Sequence, residues 1–380
     1  MFRKDSSSLL TISFLVTLPM LACESEDPSE TPTAMADQGA GGAGGDRGDG
    51  GIGRDGDLGG ADDMSECFSS AEDYPSEAWE ACVSDEGEYV LAGESTPSSA
   101  GRVEAFELIL DTLWGAGERP TPDRFIDAEL IYGEDEGLGS RVTRRYDAHI
   151  EKPAGADCSD AEAGDRWPDY CVGPARIEPM IIEAFRAGIA GETPTVNAAT
   201  VEAAGIWFLY LSTYKEAYTC AGKAKDCDSS WAYCTGGYQL NEPAIGLMGR
   251  LSAVDSEGAA RLFDALLALR CWRDLDSEQI ATNSPLHQRA LDQLDQALDY
   301  ALSRILITNL DALRAAQVEN DEAAISRWET QLQILGPVIN RAALEVDPGR
   351  AASLLEGWGD LSDGGIEAQK TRLIALFTCP

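Results

Sequence analysis

The segment around residue 147 carries the side chains of this chain that are best suited to chemistry. Asp147, His149 and Glu151 alternate along it. An extended backbone projects alternate side chains to one side, and two carboxylates with one imidazole can bind a divalent cation or act as general acid and base. The spacing therefore predicts a candidate ligand or metal site. Alternating polar residues in a solvated connection are the other interpretation.

Three arginines lie directly before this triad in an otherwise acidic chain. Arg141, Arg144 and Arg145 fall within five positions, just after the acidic run 134–136. Guanidinium groups bind carboxylates in a bidentate manner. The cluster predicts either an ion-pair network that fixes this connection against the fold, or a pocket for an anionic ligand.

Aromatic and charged residues form a second unusual cluster further along the chain. Its members are Tyr210, Tyr214, Lys215, Glu216, Tyr218, Asp228, Trp231 and Tyr233. Aromatic side chains with polar tips can line a ligand groove, and they equally suit the partly wet boundary of a helical core. Both interpretations stay open from the sequence.

The negative charge of the chain argues against nucleic acid as a partner. Its 380 residues include 66 Asp and Glu against 29 Lys and Arg, a net charge of −37. A nucleic-acid backbone would be repelled, so the expected partners are cations or basic proteins. Nucleotide-binding loops, serine elbows and zinc-helix motifs do not occur in the sequence.

The first 22 residues have the composition of a secretory signal peptide. Arg3 and Lys4 precede an apolar stretch from about residue 9 to 21, which is too short to span a bilayer. The run Leu18–Cys23 resembles the lipidation site of bacterial lipoproteins, although Met20 stands where that pattern normally has Leu, Val or Ile.

The lipoprotein resemblance implies how the chain is located. It implies cleavage before Cys23, acylation of that cysteine and effectively permanent attachment to a membrane. Glu24 follows Cys23 in place of the aspartate of an inner-membrane retention signal. We therefore expect an exported protein on the outer membrane, at its periplasmic or cell-surface face.

Composition divides the rest of the chain into two parts. Residues 23–66, which begin at the lipidated cysteine, are rich in Gly and Asp and nearly free of apolar side chains. Because such a segment cannot offset the entropy of folding, we expect it to be a disordered linker. Residues 67–380 are long enough for a globular domain with its own core.

Nine cysteines follow Cys23. Because exported proteins fold in an oxidising compartment, we expect most of these cysteines to form disulfides. They are Cys67, Cys82, Cys158, Cys171, Cys220, Cys227, Cys234, Cys271 and Cys379. Short spacing favours the local pairs Cys158–Cys171 and Cys67–Cys82. The pairing of the three cysteines at 220–234 stays open, and no Cys-x-x-Cys pair indicates zinc.

Helical periodicity extends through most of the globular part and predicts an all-α multi-helix bundle with disulfide-braced loops. Predicted helices include 99–113, 174–189, a central helix at 197–220, one starting at Ser284, one from about 319 to 344 that is bent or broken at Gly336–Pro337, and a last one at 363–377.

The combination of lipid anchor, spacer and helical body resembles imelysin-type bacterial envelope proteins over about residues 99–378. The resemblance implies a helical fold only, because the Gly-x-His-x-x-Glu motif of that family does not occur here. The expected function is a membrane-anchored binding or interaction protein of the cell envelope without catalytic activity. The alternative is a metal-dependent or hydrolytic envelope enzyme.

Overall fold

The computed structural model describes residues 82–274 and 284–377, except residues 85, 116, 118, 135 and 136. Thirteen α-helices and one π-helical turn form the regular structure of these ranges, and their one β-type pairing is an isolated bridge between Val83 and Tyr89. The predicted all-α fold is confirmed. The signal peptide, the lipidation site, the linker, Cys67 and Cys379 lie outside the described residues.

The first half of the described chain contains seven α-helices and the π-helical turn. They are α1 (Ser99–Trp114), α2 (Pro122–Glu134), α3 (Leu138–Val142), α4 (Ala163–Arg166), a π-helical turn (Gly173–Ile177) that leads into α5 (Glu178–Ile189), α6 (Pro194–Cys220) and α7 (Ala224–Thr235).

The second half contains six helices, among them the longest one of the described ranges. Its helices are α8 (Gly246–Ser252), α9 (Ser256–Asp274), α10 (Ser284–Glu319), α11 (Glu322–Val346), α12 (Pro348–Gly357) and α13 (Asp363–Leu376).

Helix α6 is the central element of the bundle. It packs against α5, α7 and α11, while α10 packs against α9 and α11. Its apolar run 206–211 is buried except at the partly exposed Trp207, as expected for a helix that is hydrophobic on nearly all sides. Gly205 lets α1 approach, since a Cβ there would lie 2.1 Å from Cε2 of Phe106.

Of the bend or break predicted at Gly336–Pro337, the break does not occur, because α11 continues through both residues. Pro337 is exposed, and the residues buried on either side of it, including Leu335 and Ile339, anchor both halves of the helix in the core. A Cβ at Gly336 would lie 2.4 Å from Cε2 of Trp358. Glycine thus admits the Trp358 ring, and tertiary packing outweighs the backbone hydrogen bond that proline removes.

Three disulfides brace the described ranges, and one differs from the predicted pairing. Cys158 bonds to Cys171, as predicted, and Cys220 bonds to Cys227. Cys82 bonds to Cys271 of α9 rather than to its sequence neighbour Cys67, so the predicted pair Cys67–Cys82 is wrong. Spacing alone missed it because the partner lies 189 residues away. Cys234 is a buried free thiol.

Candidate functional site

Backbone hydrogen bonds hold the arginine segment, residues 141–147, beside residues 170–173. The amide of Gly173 donates to the carbonyl of Arg145 at 2.7 Å, and the amide of Asp147 donates to the carbonyl of Tyr170 at 2.8 Å. A Cβ at residue 173 would lie 2.1 Å from the carbonyl oxygen of Val142. Glycine at this position is therefore what allows the arginine segment to lie against the π-helical turn.

The extended backbone that would align Asp147, His149 and Glu151 is not formed. The amide of Ile150 donates to the carbonyl of Asp147 at 3.3 Å, which closes a turn over these residues. Asp147 and His149 come together inside the protein, whereas Glu151 is exposed. Alternation along the sequence thus did not place the three side chains on one side.

His149 lies buried between two carboxylates. Its Nδ1 donates to Oδ1 of Asp147 at 2.5 Å and its Nε2 donates to Oδ1 of Asp295 on α10 at 3.0 Å. The ring stacks on Tyr214 of α6 with centroids 3.7 Å apart, and its side chain is 3% exposed. Burial alone would lower the pKa of His149, but the hydrogen bonds to both aspartates outweigh burial and raise that pKa to about 9.

A partly buried arginine extends this network into α11. Nη2 of Arg341 donates to the hydroxyl of Tyr210 at 2.7 Å, and that hydroxyl donates to Oδ1 of Asp299 at 2.6 Å. Nη2 of Arg341 also lies 3.6 Å from Oδ1 of Asp295. Burial and the neighbouring Asp295 raise the pKa of Asp299. The network therefore joins the segment after the arginines to α6, α10 and α11.

The polar groups of this network are bonded mainly to one another. Both ring nitrogens of His149 are already bonded to carboxylates. Across the described residues, no group of three His, Cys, Asp or Glu side chains has an arrangement that could hold a metal ion. The chemistry that the network supports is a charge-assisted link between chain segments.

The three arginines line a cavity of about 340 Å³ beside the network. Five cationic side chains and two carboxylates form part of its wall: Arg141, Arg144, Arg145, Lys152, Lys215, Asp157 and Glu216. The wall also includes Tyr146, whose ring stacks on Tyr170 at 5.0 Å and lies 5.8 Å from Nζ of Lys215. The volume and the few convergent charges suit a small-molecule site.

Glu216 neutralises the deeper part of this cavity. Its Oε1 lies 3.2 Å from Nη1 of Arg145 and its Oε2 lies 3.0 Å from Nζ of Lys215. Burial would raise the pKa of Glu216, but Arg145 and Lys215 outweigh it and lower that pKa. Arg145 also donates to the hydroxyl of Tyr233 at 3.3 Å. Its Nε is buried and has no hydrogen-bond partner among the described residues.

The outer cations of the cavity are unpaired. Arg141, Arg144 and Lys152 are exposed at its rim, and their side chains make no ion pair or hydrogen bond with any described residue. Burial and the positive charges of Arg144 and Arg102 lower the pKa of Arg141. The arginine cluster therefore divides: Arg145 belongs to an ion-pair network, and the other two arginines face a cavity with an excess of positive charge.

A second cavity of about 430 Å³ adjoins the first. Arg144, Cys158 and Ser159 line both cavities. The Cys158–Cys171 disulfide thus holds the wall between them. We refer to the first as the basic cavity and to the second as the side cavity.

The aromatic cluster proves to be mainly core. Tyr210, Trp231 and Tyr233 are each at most 3% exposed, and Tyr218 is 52% exposed. Buried Asp228 accepts from the hydroxyl of Tyr89 at 3.1 Å and from two backbone amides. Lys215 and Glu216 line the basic cavity, whereas Tyr210 and Tyr214 contact the histidine network.

Sequence reasoning missed the partners that complete the site. Lys152 belongs to the basic cavity, and Asp295, Asp299 and Arg341 belong to the histidine network. The one available signal was the pair Lys215–Glu216, which stood out in the sequence but had no visible link to the arginines.

No protein-family model, curated protein or solved structure matches this chain. Among the helices of the described ranges, none combines the length and apolarity that crossing a bilayer requires. We therefore infer the function from the geometry of the site and from the N-terminal sequence.

Proposed function

We propose that this chain is an exported bacterial lipoprotein whose helical body binds a small anionic ligand in the basic cavity without transforming it. The observation that carries the proposal is that Arg141 and Arg144 face a cavity without any carboxylate partner among the described residues. In a chain with a net charge of −37, carboxylates abound, so unpaired guanidinium groups at a cavity favour an external anion.

The proposed location is the outer membrane. It is supported by the signal-like residues 1–22, by the lipidation-like run ending at Cys23, and by the Gly- and Asp-rich residues that follow. A linker of this composition would hold the acidic body away from an anionic bilayer surface.

Binding is favoured over catalysis by the state of the one histidine near the cavity. A general base needs a ring nitrogen that can reach a substrate. The side chain of His149 is buried, and both of its ring nitrogens are bonded to carboxylates, so neither is available to a substrate in the cavity.

Calorimetric titration with inorganic phosphate and with citrate at low salt tests the binding site. We expect the Arg144→Gln variant to lose about tenfold or more in affinity for whichever anion binds, because a charge-assisted hydrogen bond is removed. The matched control is Arg186→Gln, since Arg186 is exposed on α5, pairs with Glu183 and lines neither cavity. Failure of the unmodified protein to bind any of these anions would contradict the proposal.

Metabolic labelling with a palmitate analogue tests the anchor. The unmodified protein should carry the label and fractionate with outer membranes, whereas Cys23→Ser should lose the label and become soluble after export. Label on the serine variant, or unlabelled protein in the cytosol, would refute the proposed location.

A further inference from the structure

The separation of the unpaired cations in the basic cavity restricts the kind of anion that it would hold. Its excess of positive charge comes from separate side chains, with Arg141 and Arg144 at the end of α3 and Lys152 beyond the histidine network. A carboxylate offers two oxygens, whereas a phosphate monoester offers three peripheral oxygens and up to two charges. Three separate unpaired cations therefore match a phosphoryl group better than a single carboxylate.

Arg145 provides an independent indication of a ligand. Its side chain is 5% exposed and lines the basic cavity, yet its Nε has no hydrogen-bond partner among the described residues. A buried N–H without a partner costs free energy. A shift of the Arg145 side chain toward an oxyanion in the basic cavity would supply the missing acceptor.

The side cavity indicates the rest of the ligand. Arg144 and Ser159 belong to both cavities, so a ligand whose charged group contacts Arg144 can extend across this shared wall. The side cavity is lined by hydroxyl groups and by the carboxylates of Asp160 and Glu178. Glu178 is half-buried, and its side chain makes no hydrogen bond or ion pair with any described residue.

The carboxylates of Asp160 and Glu178 fit a ligand whose remaining part is uncharged and carries hydroxyl groups. A second anionic group would be repelled by Asp160 and Glu178, and an apolar body would leave their carboxylates without partners. Hydroxyl groups, in contrast, donate hydrogen bonds to carboxylates.

We infer that the ligand is a phosphate monoester of a polyhydroxylated molecule, with its phosphoryl group in the basic cavity and its hydroxyl-bearing body in the side cavity. This inference rests on the proposed function, because it specifies the ligand of the same site.

Calorimetric titrations with four probes test the inference: glucose 6-phosphate, inorganic phosphate, gluconate and glucose. We expect glucose 6-phosphate to bind about tenfold or more tightly than inorganic phosphate and gluconate. Glucose alone should bind weakest, because it lacks the charged group.

Two variants separate the cavities. Arg144→Gln should weaken both phosphate probes by about tenfold or more, since its guanidinium contacts the phosphoryl group. The isosteric Glu178→Gln should weaken glucose 6-phosphate by a similar factor while inorganic phosphate binds as before or more tightly. Unchanged phosphate binding also shows that the Glu178→Gln variant is folded.

Each outcome decides between the inference and the broader proposal. Gluconate binding as tightly as glucose 6-phosphate, or glucose 6-phosphate binding no better than inorganic phosphate, would overturn the inference and leave anion binding intact. Absence of binding by all the anions would overturn both.

Discussion

At the scale of single residues, the site is distinguished by which charges have partners. Arg145 is neutralised by Glu216, and His149 is held by two aspartates, whereas Arg141 and Arg144 have no partner among the described residues. A free guanidinium contributes little to stability. Under the proposed function, its role is to bind the anionic ligand.

The pKa of His149 gives a prediction for stability. The folded protein raises this pKa to about 9 from an ordinary value of 6.5, so the folded state binds the proton more tightly than the unfolded state. The resulting stabilisation is complete below pH 6.5 and is lost as the pH rises toward 9, and the loss amounts to about 3 kcal/mol.

Urea unfolding between pH 6 and 9.5 measures this effect. His149→Gln should be less stable than the unmodified protein at pH 6, and the difference between the two should shrink as the pH rises through 9. A difference that stays constant over this range would show that the imidazolium charge does not hold the segment.

At this scale the sequence predicted the residue types but not their pairing. Asp147 and His149 were correctly placed together, yet for a reason that does not operate, since the chain turns between them instead of extending. Asp295 and Arg341 were invisible because their partners lie on distant helices, and pairing across helices depends on the tertiary fold rather than on local pattern.

At the scale of elements, one disulfide-closed loop forms the wall of the site. Residues 158–171 lie between the paired cysteines, and Cys158, Ser159 and Tyr170 all line the basic cavity. The second bridge, Cys82–Cys271, ties the segment before α1 to α9 and contributes no residue to either cavity. Removal of the Cys158–Cys171 bridge should therefore affect ligand binding, whereas removal of the Cys82–Cys271 bridge should affect stability alone.

Paired serine variants separate binding from stability. Replacing Cys82 and Cys271 should cost about 5 kcal/mol of unfolding free energy, since a long loop is released, and replacing Cys158 and Cys171 about 3 kcal/mol. Phosphate affinity should fall only in the second double variant. Guanidinium unfolding and calorimetry measure both quantities, and an affinity loss confined to the Cys82/Cys271 variant would contradict this assignment of the wall.

Helix positions were more predictable than helix limits or cross-links. The apolar face of α1, with Val103, Phe106 and Leu113, is buried as its periodicity indicates. The continuation of α11 through Pro337 was not predictable, because the Trp358 ring that packs on Gly336 belongs to a residue beyond the end of α12.

At the scale of the whole molecule, an acidic body contains a local basic site. The net charge of −37 produces self-repulsion within the folded chain. Small anions must therefore approach against the overall field, and the positive charge around Arg141 and Arg144 acts only at short range.

Salt should consequently move stability and binding in opposite directions. Raising NaCl from about 20 to 300 mM shortens the screening length severalfold, so the melting temperature should rise as self-repulsion is screened, while phosphate affinity should fall. Calorimetric scans and titrations on the same samples measure both. Phosphate affinity that is indifferent to salt would indicate binding away from the basic cavity.

The most direct test of the account is a crystal structure of the chain grown with glucose 6-phosphate. We predict phosphoryl density within hydrogen-bond distance of Arg141 and Arg144 and sugar density toward Glu178. A fully occupied ligand elsewhere on the protein, with the basic cavity filled only by water, would contradict the account.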